Sequence, residues 1–434
     1  MKKLVALLAL LPALALAAET DVAPPAAPEA PKPAPSVKEQ AGGFGLLLQG
    51  WFQADSDARF NAGVTKKDFS SNGGGGQPNA GYSTFKIRRS EISYDNTLGG
   101  LFGYHVMVDP ARIQNGNVAV PAETITCKAG ATAGAAPTCT AAATSLGVKD
   151  ILQDAWFSAY VLPYTELRLG QMKTPLTMEG FGSSAKLDFA ERSFLGNNFG
   201  NQRDIGLMAA STKDLPFVEY EVGVFNGTGQ NVYDNQPTKD VAGRVVLKPI
   251  PGVSVGASGA IGGTFDPAFG GGLVKKTKNR GGVEAALEYA GFTVKGEWMG
   301  GREGQAPDAA ALVAKGGSAT FYSLAPVGYY LTAGYRYDAA QYGIWNLVAR
   351  YDHWDSDSQT PVSQCKGAPS TAAAGAFAGN ARCVKDTTVS VGLNYEVPPK
   401  LVKNVKLQLD YYRNNDDARD VSADEVFFVT QLKF

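Results

Sequence analysis

From Phe44 to the last residue, apolar and polar positions alternate with a period of two, as strands do when their two faces meet different environments. In the stretch Gly328 to Tyr337, Tyr329, Leu331, Ala333, Tyr335 and Tyr337 share one face while Tyr330, Thr332, Gly334 and Arg336 share the other. The same split sets Val389, Val391, Leu393 and Tyr395 against Thr388, Ser390, Gly392 and Asn394. It sets Val405, Leu407, Leu409 and Tyr411 against Lys406, Gln408, Asp410 and Tyr412. Marking each such stretch predicts strands over 44–54, 82–94, 101–109, 151–162, 165–172, 203–212, 217–226, 242–249, 252–261, 280–290, 292–302, 326–338, 342–354, 386–397, 401–413 and 425–434. That is about sixteen, an even number, as bacterial single-chain barrels require. The connections alternate strictly between short ones (95–100, 163–164, 213–216, 250–251, 291, 339–341 and 398–400) and long, Gly-rich ones. Outer-membrane barrels have short periplasmic turns and long external loops, whereas a soluble sandwich has no reason to sort its loops by length. The expected fold is therefore all-β, a transmembrane antiparallel β-barrel of about 16 strands.

The mean hydropathy of −0.13 resembles that of a soluble protein. A barrel keeps such an average because only every second residue of each strand faces lipid. Beyond the first twenty residues no apolar run approaches the roughly 20 residues of a membrane-spanning helix. The start reads as an export signal over 1–17: Lys2 and Lys3, an apolar core from Leu4 to Leu16, and the small-residue site Ala15-Leu16-Ala17. An Ala/Pro-rich periplasmic linker is expected over 18–43, since the repeated Pro of Ala23 to Ser36 favours an extended, solvated spacer. The barrel then occupies 44–434, which places the protein in the outer membrane of a Gram-negative bacterium, in contact with lipid. The last strand puts Phe428, Thr430, Leu432 and Phe434 on its outward face. Its terminal aromatic resembles the signal by which the barrel-assembly machinery recognises its clients, which makes that machinery an expected partner through Phe434. Cys127 and Cys139 fall in the second long loop, and Cys365 and Cys383 in the seventh. In an oxidising compartment the simplest connectivity is one local disulfide in each loop.

Charge narrows the chemistry. Forty Lys and Arg almost cancel 41 Asp and Glu, a balance that excludes a general nucleic-acid binder. Two His and four Cys leave few ligands for a His- or Cys-based metal site, and neither cofactor nor metal is expected. Gly73 to Gly76 lack the Lys-Ser/Thr of a phosphate-binding loop, and Asp352, Asp355 and Asp357 lack the Gly and distal Glu of a calcium loop. His105 and His353 read as a wall and a rim residue, and no Ser-His-Asp set falls on adjacent strands, so no enzyme is expected. Trp51, Trp156, Trp298 and Trp345 read as interface girdles.

The third long loop is the most informative part of the chain, departing from alternation between Arg168 and Asp204. Its segment Gln171-Met-Lys-Thr-Pro175, followed by Glu179, Ser183-Ser184, Asp188-Phe189, Glu191-Arg192-Ser193 and Arg203-Asp204-Ile-Gly206, resembles the phosphate-selective porin O and P family. The resemblance covers most of the barrel in layout, with its specific residues concentrated here. It implies a homotrimer of sixteen-stranded barrels in which the infolded third loop narrows a pore with a basic lining. It also implies a passive diffusion channel for small anions, with phosphate or polyphosphate as the family's named solutes. A general or carbohydrate-selective porin is the alternative, and a structural barrel tethered through the Pro-rich tail is the alternative of another class. Phosphate selectivity needs converging cations in a narrow place, because a cation in bulk water gains only about 1 kcal/mol at contact distance.

In the loop, Lys173, Lys186, Arg192 and Arg203 are candidates for contact with the solute, while Glu179, Asp188, Glu191 and Asp204 bring equal opposite charge. The competing reading of Glu191, Arg192, Arg203 and Asp204 is a salt-bridge network that holds the loop to the wall. On the wall, alternation sends Lys86, Arg88, Arg168, Arg244, Lys295, Arg336, Arg350 and Lys406 inward, because a cation facing lipid at mid-membrane costs roughly 2–4 kcal/mol. Glu284, Glu288, Glu297, Asp352 and Asp410 point inward too. A ladder of Arg88, Arg168, Arg244 and Arg336 that guides anions competes with ordinary cross-strand pairing to those acids.

Overall fold

The computed structural model describes residues 42–55, 82–113, 125–128, 138–141, 151–234, 237–267, 273–305, 322–359, 361, 384–417 and 421–434. The expected export signal, nearly all of the linker, Gly73 to Gly76, Cys365 and Cys383 lie outside them. Among the described residues an 18-stranded antiparallel sheet includes two short extensions, Gly263–Pro267 and Tyr322–Leu324. The remaining sixteen strands form the barrel. In chain order they are β1 (Gly43–Asp55), β2 (Tyr82–Leu98), β3 (Phe102–Val108), β4 (Leu152–Leu162), β5 (Thr165–Lys173), β6 (Arg203–Ser211), β7 (Val218–Phe225) and β8 (Asp240–Ile250). There follow β9 (Val253–Ile261), β10 (Leu273–Tyr289), β11 (Phe292–Gln305), β12 (Val327–Asp338), β13 (Ile344–Asp355), β14 (Lys385–Glu396), β15 (Val405–Asp416) and β16 (Val421–Lys433). Each pairs with its sequence neighbours, and β1 closes the ring by pairing with β16 from Leu47↔Lys433 to Asp55↔Glu425. Phe434 completes the seam by exchanging backbone hydrogen bonds of 2.9 Å with Leu46.

The period-two pattern sorts the side chains. Val241, Val245 and Leu247 of β8, Val389, Val391 and Leu393 of β14 and Leu409 of β15 stand exposed on the outer face, where lipid replaces water. Arg244, Ser390, Asn394, Gln408 and Asp410 on the same strands are buried on the inner face. At the turn between β10 and β11, Ala290 (φ 49°) and Gly291 (φ 86°) both adopt left-handed backbone. A Cβ on Gly291 would lie 2.6 Å from the Arg336 carbonyl oxygen, so this tight hairpin requires glycine.

Three features depart from plain alternation. The β1–β2 register jumps from Gln49↔Arg89 to Gly50↔Ile87, a bulge that makes Arg88 an extra residue. Arg88 and Arg89 consequently both turn inward: Arg89 is 5% exposed and donates to Gln49 Oε1 at 2.6 Å, whereas Phe85 beside them is 83% exposed. Second, the strict alternation of connection lengths fails at the last hairpin. The β15–β16 ladder continues to Asp416↔Val421, leaving a connection of only 417–420, while the turn at the opposite end spans 397–404. Third, two of the tryptophans expected in the interface girdles are inside. Trp51 is buried edge-to-face against Phe427 at 5.3 Å, and Trp156 lies under the Arg168 guanidinium. Trp298 and Trp345 do stand exposed on the outer face.

In the second long loop a short antiparallel pair, Ile125–Lys128 with Thr138–Ala141, sets Cys127 directly opposite Cys139. Peptide mapping without reductant is expected to recover 125–141 as one Cys127–Cys139 cross-linked species, and two free thiols there would remove the expected bond. For the lipid face, Val391→Arg is expected to lower unfolding free energy in bilayers by about 2–4 kcal/mol. A loss below about 0.5 kcal/mol in urea titrations would mean that this face is not in hydrocarbon.

Candidate functional site

The third long connection, 174–202, packs against inner-face residues of β1, β2 and β9 to β16. It begins with Thr177, a non-glycine in left-handed backbone (φ 59°) whose Oγ1 accepts from Gly180 N at 2.9 Å and so caps the single helical turn Met178–Phe181. This turn crosses the segment Gly196–Gly200 so closely that a Cβ on Gly180 would sit 2.4 Å from Gly200 Cα. Only glycine permits that crossing.

Wall carboxylates grip the backbone of the loop. Glu297 on β11 accepts from Met178 N and, at 3.3 Å, from Glu179 N, and its other partner is the Tyr330 hydroxyl at 2.8 Å. Asp410 on β15 accepts from Ala190 N at 2.7 Å, and Asp352 on β13 from Phe194 N at 2.8 Å. Wall donors hold the loop carbonyls in turn: Lys406 Nζ reaches Leu187 O at 2.9 Å, and Asn394 Nδ2 reaches Asp188 O at 2.8 Å. Between these polar anchors Phe189 is buried among Trp51, Val348, Tyr412 and Phe427, while Leu195 and Phe199 are buried with Tyr330 and Trp354.

The acids of the loop also find wall cations. Glu179 faces Arg350 at 3.5 Å and accepts from Ser193 N at 2.5 Å. Asp188 pairs with Lys295 at 2.5 Å, and Glu191 with Arg88 at 3.3 Å. Burial pushes the Glu191 carboxyl up, but Arg88, Arg89 and Lys86 together outweigh it and hold the group below the usual carboxylate range. Of the four residues expected to hold the loop to the wall by salt bridges, Glu191 and Arg203 do so through Arg88 and Asp154, whereas Arg192 and Asp204 bond to neutral groups. Arg203 forks onto Asp154 of β4 at 2.9 and 3.0 Å, and Asp204, already within β6, accepts from Ile205 N and Gly227 N.

The other candidate cations divide by what they touch. Lys173 has all three donors on backbone carbonyls, those of Gly180, Phe181 and Gly182 at 3.1, 3.4 and 2.7 Å, so it fastens the C-terminal end of the helical turn. Arg192 donates to Glu179 O, Gly182 O and Ser184 Oγ, all neutral acceptors. Arg168 pairs with Glu166 at 2.6 Å, and Arg244 forks onto Glu284 at 2.6 and 2.9 Å. Arg336 is half-exposed beside the short turn 339–343 and pairs with Glu396. The four arginines of the expected ladder are thus all ion-paired. Lys186 differs: it is exposed on the loop surface and, among the described residues, has no side-chain hydrogen bond or ion pair.

Two participants escape the alternation argument. Arg89 carries the parity of a lipid-facing residue until the bulge is known. Asp154 was legible only as one more inward polar residue, because its role depends on Arg203, forty-nine positions away. Trp51 shares parity with Gln49 and Gln53, a signal that would have placed it inside.

A family model described as phosphate-selective porin O and P matches residues 58–433. Among solved structures, an anion-selective porin from Comamonas acidovorans superposes with a TM-score of 0.52 at 11% identity, covering 91% of this chain and 99% of that one. The outer membrane channel DcaP of Acinetobacter baumannii gives 0.51 at 11% identity, over 91% and 97%. Salmonella typhi OmpF gives 0.50 at 10% identity, over 91% and 97%. At these identities the likeness is one of fold. No match was found among curated protein sequences.

Glu179→Ala would leave the buried Arg350 guanidinium with Asp352 at 3.9 Å as its remaining carboxylate and the Glu191 carbonyl at 3.2 Å. The loop docking is expected to lose about 3–5 kcal/mol, seen as a shifted single-channel conductance with excess open-channel noise. An unchanged, quiet conductance would show that this pair does not hold the loop.

Proposed function

The chain belongs to the phosphate-selective porin O and P family, outer-membrane channels of Gram-negative bacteria, and from that premise we propose that it passes small anions by passive diffusion, with phosphate among them. The observation that carries this reading is Lys186, an exposed cation on the third loop with no ion pair among the described residues, beside charge pairs that nearly balance. Glu297, Asp352 and Asp410 are buried beneath the loop and engaged by its N–H groups. Among the more accessible pairs, Arg88 and Glu191 keep 29% and 30% of their side chains exposed and Arg168 and Glu166 keep 22% and 14%, so the exposed Lys186 leaves cation slightly in excess. A permeating solute therefore meets a slight excess of cation although the chain's total of 40 basic and 41 acidic residues is near neutral. Exposed ion-paired arginines retain a field in the lumen, but each is partly offset by its carboxylate, which supports preference for anions more than strict selectivity. Assembly as a homotrimer and delivery by the barrel-assembly machinery through Phe434 complete the proposal. Both rest on the resemblance to the family.

Planar-bilayer recordings under a KCl gradient test it. The reversal potential is expected to carry the sign of chloride preference, millimolar phosphate should depress the chloride current, and Lys186→Glu should move the reversal potential toward cations. Equal permeation of potassium and chloride, with no response to phosphate, would leave a general porin. A shift absent in Lys186→Glu would remove that residue from the path.

A further inference from the structure

Against the inner wall of β3 to β6, where the loop segment 181–184 approaches, a recess of about 290 Å³ combines two chemistries. Its cationic side is formed by Arg168, Lys173 and Arg203. Two acids also reach it, but Asp154 is fully engaged by the Arg203 fork and Glu91 lies 3.9 Å from Arg89. Within the lining the three cations exceed these two acids by one, and Arg168 also pairs with Glu166 beside it at 2.6 Å. Arg168 Nε is buried and, among the described residues, has no hydrogen-bond partner, so one strong donor is left unfilled within this lining. The guanidinium of Arg168 lies 5.2 Å from the centre of the Trp156 ring, which fixes its plane.

The rest of the lining is mostly apolar, with Trp156, Phe181 and the methionines Met107, Met172 and Met208 beside two serines of the loop, Ser183 and Ser184. Three of the six methionines in the chain converge here. An inorganic oxyanion gains nothing from such neighbours and loses hydration beside them. Thioethers and aromatic rings instead suit a flat apolar body, since sulfur makes favourable contacts at ring edges and methionine adapts to irregular shapes. Building on the anion pathway proposed above, we propose that this recess is a subsite for small aromatic carboxylates. The carboxylate faces the Arg168 guanidinium, whose buried Nε has no partner among the described residues, and the ring lies among the methionines and Phe181.

Benzoate and acetate, which share the carboxylate and differ in the ring, are the probes. In single-channel recordings benzoate is expected to block the chloride current at a concentration at least tenfold lower than acetate does. Met107→Ser should bring the two blocking concentrations within about twofold, and Arg168→Gln should weaken benzoate block at least tenfold. Equal block by benzoate and acetate in the wild-type channel would overturn the subsite, as would a benzoate preference that survives both substitutions. The sign of the KCl reversal potential, measured in the same membranes, judges the anion pathway separately, so a failed subsite in a chloride-preferring channel leaves that reading standing.

Discussion

Closure of the backbone ladder governs everything else in this molecule. No water is available in the bilayer core to satisfy an unpaired strand edge, so all sixteen strands must hydrogen-bond on both sides, and β1 must meet β16. A closed ring leaves each side chain two destinations, lipid or lumen, and the cost of a charge in hydrocarbon sends the ionisable groups inward. The lumen therefore has to accommodate a dense set of cations and anions that a water-soluble protein would leave on its surface.

The third loop resolves much of that crowding. Its backbone offers N–H groups to Glu297, Asp352 and Asp410, and its carbonyls accept from Lys173, Lys406 and Asn394. A hydrogen bond to a charged group contributes about 1.5–3 kcal/mol, so several together can hold a loop that has almost no regular structure of its own. Phe189 and Phe199 add apolar burial between those anchors, and the Gly180–Gly200 crossing keeps the segment thin enough to leave space beside it. Docking also changes the field inside: acids beneath the loop become acceptors for its backbone, while Arg88, Arg168 and Lys186 remain accessible. The same loop thus decides which of the inner-face charges stay accessible.

Much of the site was hidden in the sequence for one physical reason. Alternation reports the face of a residue and nothing about its partner across the lumen. Arg244 and Glu284 could be placed inward from parity, yet their fork is a contact between strands that required the register. Lys173 had the charge of a solute-binding residue, but the carbonyls at the end of the Met178–Phe181 turn take its three donors. Arg89 has the parity of a lipid-facing residue and turns inward only because one extra residue in β2 reverses the alternation there.

What the sequence determined by itself was the barrel: sixteen strands close to their observed limits, their inward and outward faces, and the loop that departs from the pattern. These follow from a local period and from the cost of polar atoms in lipid, which act on every strand separately. The tertiary structure alone decided which wall carboxylates bind the loop backbone and which cations stay open to the lumen. It also decided that Trp51 and Trp156 sit inside, and that Arg168, Trp156 and three methionines share one recess. Those outcomes depend on distances between residues far apart in the chain, and such distances exist only once the ring has closed and the loop has folded into it.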